Sequence, residues 1–399
     1  MKNQVDPLLV WRKEFPIVGK STYLISNSLG AMPRSVYERM KEYADTWSGR
    51  GVRAWGDSWW EMSVKAGDAI APLIGAGPSE VSMHTNISQI QAALISCFNF
   101  SGQRNTIVYS DMEFPSVMYV YEKFAASLGA RLKIIRSADG ISVPTERILD
   151  VIDRRTLLVP ISHVLFKTSC IQDVKAIIEK AHKVGALVIL DAYHSVGIIP
   201  VDVRALGVDI LAGGVLKWLC GGPGGAFLWI RPSLRKKLEP NVTGWMAHQH
   251  PFAFETSMRY RSDAMRFLNG TPSIPALYAS QEGPKIIAGI GIRSIRAKSQ
   301  RQTALVIREA QERGFHVLSP IQANQRAGTV TLGLPHAYQV SRELLRREII
   351  VDYREGAGIR IAPHFYNSDE ELFLAVREIS TILETKAYRR HSAKQSTVT

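Results

Sequence analysis

From about residue 60 to residue 230, short apolar runs alternate with amphipathic stretches. Leu132-Lys133-Ile134-Ile135, Leu157-Leu158-Val159-Pro160-Ile161, Ala186-Leu187-Val188-Ile189-Leu190 and Asp209-Ile210-Leu211-Ala212 have the length and composition of buried strands. Between the second and third of these, Asp173 to Val184 carries Val174, Ile177, Ile178 and Ala181 at helical spacing, and Gly185 stands where a helix-ending glycine belongs. Strand, helix and strand at this pitch predict an α/β fold with a mostly parallel sheet flanked by helices. Ligands of such sheets bind beyond the carboxyl ends of the strands. The loops after Leu190 and Ala212 are therefore the first places to look.

After about residue 285 the pattern changes. A long basic helix, the segment Gly328 to Leu334, a helix over Ser341 to Glu348, the runs Ile349-Ile350-Val351 and Gly358-Ile359-Arg360-Ile361, and an acidic helix from Ser368 predict a smaller α+β domain. The expected organisation is a large domain over 51–285 and a small domain over 286–387. Residues 1–50 are expected to pack on the small domain, and the polar stretch 388–399 to be disordered.

A chain of 399 residues, 46% apolar and 21% charged, has globular composition and room for two lobes. Its 49 basic and 36 acidic residues give a net charge of +13. The excess falls on helix faces such as Lys285 to Arg313 and on Arg389-Arg390, with no aromatic interleaving and no zinc pattern. It reads as solvated surface that attracts small anions, so no nucleic-acid partner is expected. Cys97, Cys170 and Cys220 are too scattered for a disulfide framework, which points to a reducing, cytoplasmic setting. No apolar run approaches the roughly 18 residues of a membrane span, and Met1 to Phe15 lacks a signal-peptide stretch. Gly19-Lys20-Ser21 has Glu14 where a phosphate loop needs glycine, and no His-Glu-x-x-His or Gly-x-Ser-x-Gly occurs. No metal site is predicted.

The strongest chemical signal is Leu190-Asp191-Ala192-Tyr193-His194. Asp191 ends a buried strand, where an ionised carboxylate needs a partner or a ligand, and His194 follows within one turn. Lys217 lies 26 residues after Asp191, between Leu216 and Trp218 and ahead of Gly221-Gly222-Pro223-Gly224-Gly225. Apolar surroundings lower a lysine's pKa and make it a nucleophile. A buried carboxylate on one strand and such a lysine on another suit pyridoxal 5'-phosphate: the lysine forms the Schiff base and the carboxylate keeps the pyridine nitrogen protonated.

In the order of its motifs the chain resembles the class V aminotransferase family of fold-type I pyridoxal-phosphate enzymes, and its kynureninase-like members most. The landmarks are Asn27-Ser28-Leu29-Gly30, Gly51-Val52-Arg53-Ala54-Trp55, Phe114-Pro115-Ser116, Asp191-x-x-His194, Lys217 with its glycine-rich loop, Gly244-Trp245, Gly270-Thr271-Pro272, and Arg360-Ile361-Ala362-Pro363 before Tyr366-Asn367. The resemblance implies an aspartate-aminotransferase-like fold and catalytic roles for Lys217, Asp191 and His194. It further implies that Phe114 stacks on the ring and that Asn86, Ile87, Ser88 and Ser116 hold the phosphate. Arg360 clamps the α-carboxylate of an amino-acid substrate. Trp245 and Thr271 join the cofactor site, and Asn27, Ser28 and Trp55 the substrate site, some across a homodimer interface. Two positions depart from the kynureninase pattern: Leu216 replaces a tyrosine and Val117 an aspartate. The implied reaction is hydrolytic cleavage between the β and γ carbons of a kynurenine-type substrate to give alanine. Transamination, β-elimination and carbon–sulfur cleavage are the alternatives, with a non-catalytic nucleic-acid binder a remote one.

Overall fold

The computed structural model describes residues 6–393. Seven strands form the main sheet in the order Val81–His84, Ala226–Ile230, Ile210–Gly214, Leu187–Asp191, Thr156–Ser162, Thr106–Ser110 and Arg131–Ile135. Ala226–Ile230 runs against the direction of the other six, pairing antiparallel with both its neighbours. Strands such as Thr106–Ser110 and Ile210–Gly214 are buried along their whole length, which explains their continuous apolar runs: a parallel sheet is covered on both faces. Val174–Val184 is the predicted crossover helix. Asp173 caps its first turn through the amide of Ala176, and Gly185 ends it at φ 76°.

A second sheet pairs Asp352–Arg354, Gly358–Ile361, Val330–Gly333 and His316–Val317, all antiparallel. It shares a separate apolar core with Val340, Leu344, Leu372, Val376 and Ile379. The helix Asp369–Glu384 opens with a capping box in which Ser368 and Glu371 satisfy one another's backbone amides. The predicted helix over 341–348 begins earlier, at Ala337, and ends at Arg346. Two helices, Glu282–Ile290 and Ile292–Glu312, replace the one long basic helix, with Gly291 at the break.

The amino-terminal segment divides between the two cores. Thr22–Tyr23 pairs in parallel with Ile349–Ile350, and Arg12 bridges to Glu371. The helix Val36–Arg50 instead lies on Ile274–Ala279, so packing of all of 1–50 on the small domain does not hold. The expectation of disorder from Tyr388 onward is corrected up to Ala393. The Tyr388 ring stacks on His336 at 4.3 Å, and His391 reaches Glu343 at 3.0 Å. Residues 394–399 lie outside the described residues.

Candidate active site

A cavity of about 230 Å³ opens at the carboxyl ends of the central strands. It is lined by Asp191, Tyr193, His194, Leu216 and Lys217 from the loops after Leu187–Asp191 and Ile210–Gly214, together with Ser162, Val164 and Phe166. The remaining wall is two helix amino-termini. Asn86, Ile87 and Ser88 open the helix Ile87–Ile95, and Phe114 and Ser116 open Pro115–Leu128.

Lys217 Nζ stands 2.5 Å from His194 Nε2 and faces two rings, 4.6 Å from the centroid of Tyr193 and 5.4 Å from that of Phe114. Burial, and then the positive charge of Arg360, depress its pKa to about 7 against the opposing pull of Asp191. Burial raises the Asp191 carboxyl to about 6, opposed by the amide of Tyr193, which donates to Oδ1 at 2.8 Å, and by Lys217. Burial, reinforced by Lys217, holds His194 well below its ordinary pKa, so its imidazole is neutral and able to accept from the lysine. Lys217 and Asp191 are thus brought close together in pKa, with the neutral imidazole of His194 beside the amine.

Arg360 is 2% exposed and lies opposite Asp352 in the antiparallel ladder. Its Nε and Nη2 donate to Asp352, and Nη1 donates to the carbonyl of Phe166. A guanidinium carries five N–H groups. Three are taken, leaving one on each terminal nitrogen, the pair that an end-on carboxylate accepts. Nearby, Asn27 is 1% exposed and neither polar atom of its amide has a partner. Such an unmet buried amide is rare unless a ligand satisfies it. Ser28 Oγ accepts from Arg354 at 3.3 Å, and Arg354 also meets the second oxygen of Asp352 at 2.8 Å.

Six of the sequence-predicted residues are absent from the wall of this cavity: Arg360, which reaches it through the carbonyl of Phe166, Asn27 and Ser28, and also Trp55, Thr271 and Trp245. The half-buried Trp55 ring packs edge-on against Trp59 at 5.6 Å, against the main core. Thr271 lines a separate cleft with His84, Thr85 and Gln89. Trp245 is 42% exposed and belongs to an aromatic cluster with Trp60 and Phe252. Of the two departures from the kynureninase pattern, Leu216 does line the cavity, whereas Val117 is buried in the core. Sequence reasoning missed Ser162, Phe166, Tyr193, Asp352 and Arg354. Only Tyr193 carried a signal, as part of the Asp191–His194 turn; the others arrive through sheet order and hairpin pairing.

The donor set fits pyridoxal 5'-phosphate. Paired helix amino-termini with Ser88 and Ser116 suit a phosphate, Asp191 suits a protonated ring nitrogen, and Phe114 offers a stacking face. The aminotransferase class V family model matches residues 22–366. An uncharacterized aminotransferase of Bacillus subtilis (strain 168) is 33% identical over 373 residues, 93% of this chain and 96% of the relative. A kynureninase of Burkholderia mallei (strain SAVP1) is 30% identical over 397 residues, 96% of this chain and 94% of the relative. Among solved structures, an apo cysteine desulfurase from Thermococcus onnurineus NA1 matches with a TM-score of 0.84 at 23% identity, over 96% of this chain and all of that one. A C-DES mutant with glycine covalently linked to its PLP cofactor matches at 0.83 and 19%, covering 92% of this chain and 98% of that one. Likeness at such low identity speaks for the fold, whereas the family model and the sequence relatives speak for descent. The chain belongs to the aminotransferase class V family of pyridoxal-phosphate enzymes, and pyridoxal 5'-phosphate is its cofactor.

Proposed function

We propose that this enzyme hydrolyses a kynurenine-type amino acid between its β and γ carbons, taking up one water and releasing alanine and a carboxylic acid. The observation that carries the reading is the position of Phe166. Its carbonyl accepts from Arg360 Nη1, and its ring lines the cavity 5.2 Å from Phe114 in an edge-on arrangement. An amino acid held by its α-carboxylate on Arg360 therefore meets an aromatic wall, which suits an aryl side chain. The 30% identity to a kynureninase over nearly the whole chain supports the same reading.

The cofactor supplies an electron sink for charge developing at the substrate α-carbon. The chain's own residues do the rest. Asp191 holds a proton on the ring nitrogen, and Lys217 Nζ takes the proton from the α-carbon, its depressed pKa leaving much of it neutral near pH 7. His194 Nε2, within hydrogen-bond reach, keeps that amine aimed. Arg360 binds the α-carboxylate and Asn27 orients it. Ser88, Ser116 and the amides of the two helix ends hold the phosphate. The substrate, and the assembly of two chains into a homodimer that brings Trp245 and Thr271 to a partner's site, belong to this proposal.

Carbon–sulfur cleavage through a cysteine nucleophile is the weaker reading. Cys97, Cys170 and Cys220 are absent from the cavity wall, and burial pushes their thiols up to about 12, 11 and 12. Transamination is the second reading, favoured by the 33% identical relative. Incubating the holoenzyme with kynurenine and a panel of amino acids separates them. Alanine with an aryl acid supports hydrolysis, and a keto acid with the carbon chain intact overturns it in favour of transamination.

A further inference from the structure

One buried acid beside the site has no part in the mechanism above. Glu113 is fully buried, at 0% exposure, immediately before Phe114. Oε1 lies 2.8 Å from Ser110 Oγ, and Oε2 accepts from the backbone N–H of Ser162 at 2.7 Å. Ser110 and Ser162 end two strands of the main sheet, and Ser162 is the ladder partner of Asp191. The amide of His163 donates to the Asp191 carbonyl at 2.8 Å, so Glu113 grips the same strand end that positions Asp191.

No lysine, arginine or histidine pairs with Glu113 among the described residues. The groups facing it are Tyr109 and Ser110 on one strand, Ser162 on the next, and the Asp191 carboxylate beyond. A buried carboxylate without a cation is costly. Two neighbouring carboxyl groups do not both ionise when counter-charge is available to only one. Asp191 has Lys217 and the ring nitrogen; Glu113 has neither.

We propose that Glu113 is a positioning residue that works as a neutral acid, tying the ends of Thr106–Ser110 and Thr156–Ser162 together so that Asp191 is the sole anion beneath the cofactor ring. The proposal rests on the reading that Asp191 faces the ring nitrogen. In the neutral form Oε1–H donates to Ser110 Oγ while Oε2 accepts from Ser162, which closes the network without any cation. Burial, with the negative charge of Asp191 adding to it, pushes the carboxyl up to about 7 against the hydrogen bonds from Ser162 and Ser110 that favour ionisation. Had Glu113 carried a charge, that charge would favour a proton on Asp191 and so weaken the anion that the ring nitrogen needs.

Glu113→Gln reproduces the neutral acid: its amide donates to Ser110 and its carbonyl accepts from Ser162. The test compares infrared and visible spectra of the wild-type and variant holoenzymes across pH. The expected result is a carboxylic-acid C=O stretching band at neutral pH in the wild type that is missing from Glu113→Gln. Cofactor affinity in that variant stays within about threefold, and the pH midpoint of the cofactor absorbance does not move. Glu113→Ala, which strands the Ser162 amide, weakens cofactor binding about tenfold. Absence of the acid band in the wild type overturns the proposal, as does a shifted absorbance midpoint in Glu113→Gln. Should Glu113→Ala fail to fold, the glutamine variant and the band decide alone. Asp191→Asn, measured alongside, reports separately on the ring-nitrogen reading, and the band does not depend on the substrate.

Discussion

Lys217 illustrates how a single side chain is given up to function. A lysine whose charged form is disfavoured by burial destabilises the cofactor-free fold, and the sign with pH follows from linkage. Its folded pKa of about 7 lies below the unfolded value of about 10.5, so the unfolded chain binds the extra proton between them. The penalty is full below pH 7 and fades as pH rises toward 10.5. Lys217→Met should therefore raise the Tm of the cofactor-free protein, and raise it more at pH 6 than at pH 9; thermal scans at the two pH values check this. Arg360→Lys should raise KM for an amino-acid substrate about tenfold or more while cofactor absorbance persists, because a lysine lacks the paired N–H groups left free by Asp352 and Phe166. Steady-state kinetics beside an absorbance spectrum distinguish the two effects. Lys217 was legible in the sequence from its apolar neighbours, whereas Arg360 was pointed out only by the resemblance to class V enzymes. Asp352, which accepts from two of the five Arg360 N–H groups, was not legible at all, because only the register of a hairpin places it opposite.

The elements that matter most are the ends of helices and strands. Asn86 accepts from the amide of Gln89 at 2.9 Å and so caps the helix whose amino-terminus faces the phosphate site. Asn86→Ala should cost about 1 kcal/mol of stability and weaken cofactor affinity more than an equal loss elsewhere, as a denaturation curve and a cofactor titration would show together. The helix Ala337–Arg346 has a different anchor. Buried Glu343 accepts from Arg346 at 2.7 Å, from Arg347 at 3.1 Å and from His391 at 3.0 Å, and these partners, Arg346 foremost, hold its carboxyl well below the usual carboxylate range. That stability is present above the unfolded pKa of about 4.3 and is lost as pH falls below it. Glu343→Gln should lower the Tm at pH 7 and by progressively less on acidification. The same contact explains why the carboxyl-terminal stretch is ordered through Ala393 although its composition suggested otherwise: composition registers charge, not the buried acid that pairs with it.

At the scale of the whole molecule, the alternation of strand and helix was enough to give the parallel sheet and its ligand-bearing edge, because each βαβ unit is local in sequence. The order of strands is not local, and that order brings Ser162 beside Asp191 and Glu113 behind both. Trp55 lies off the cavity of its own chain, and its sequence context gave no sign of that: an aromatic residue reads alike whether it lines a site or packs on Trp59. Trp245 and Thr271 lie away from the cavity of their own chain, while Leu29, Met32, Tyr37 and Trp245 are exposed apolar side chains. If these residues serve a partner's site, mixing inactive Lys217→Ala chains with inactive Trp245→Ala chains should restore activity to part of the hybrid population. A mixture as inactive as its components would confine each site to one chain.

The chemistry of the site depends on which amine carries the cofactor. Reducing the holoenzyme with borohydride and mapping its peptides by mass spectrometry locates that amine directly. The prediction is one pyridoxyl-phosphate adduct per chain, on the peptide containing Lys217, and none in Lys217→Ala. An adduct on any other lysine of the wild-type chain would contradict it.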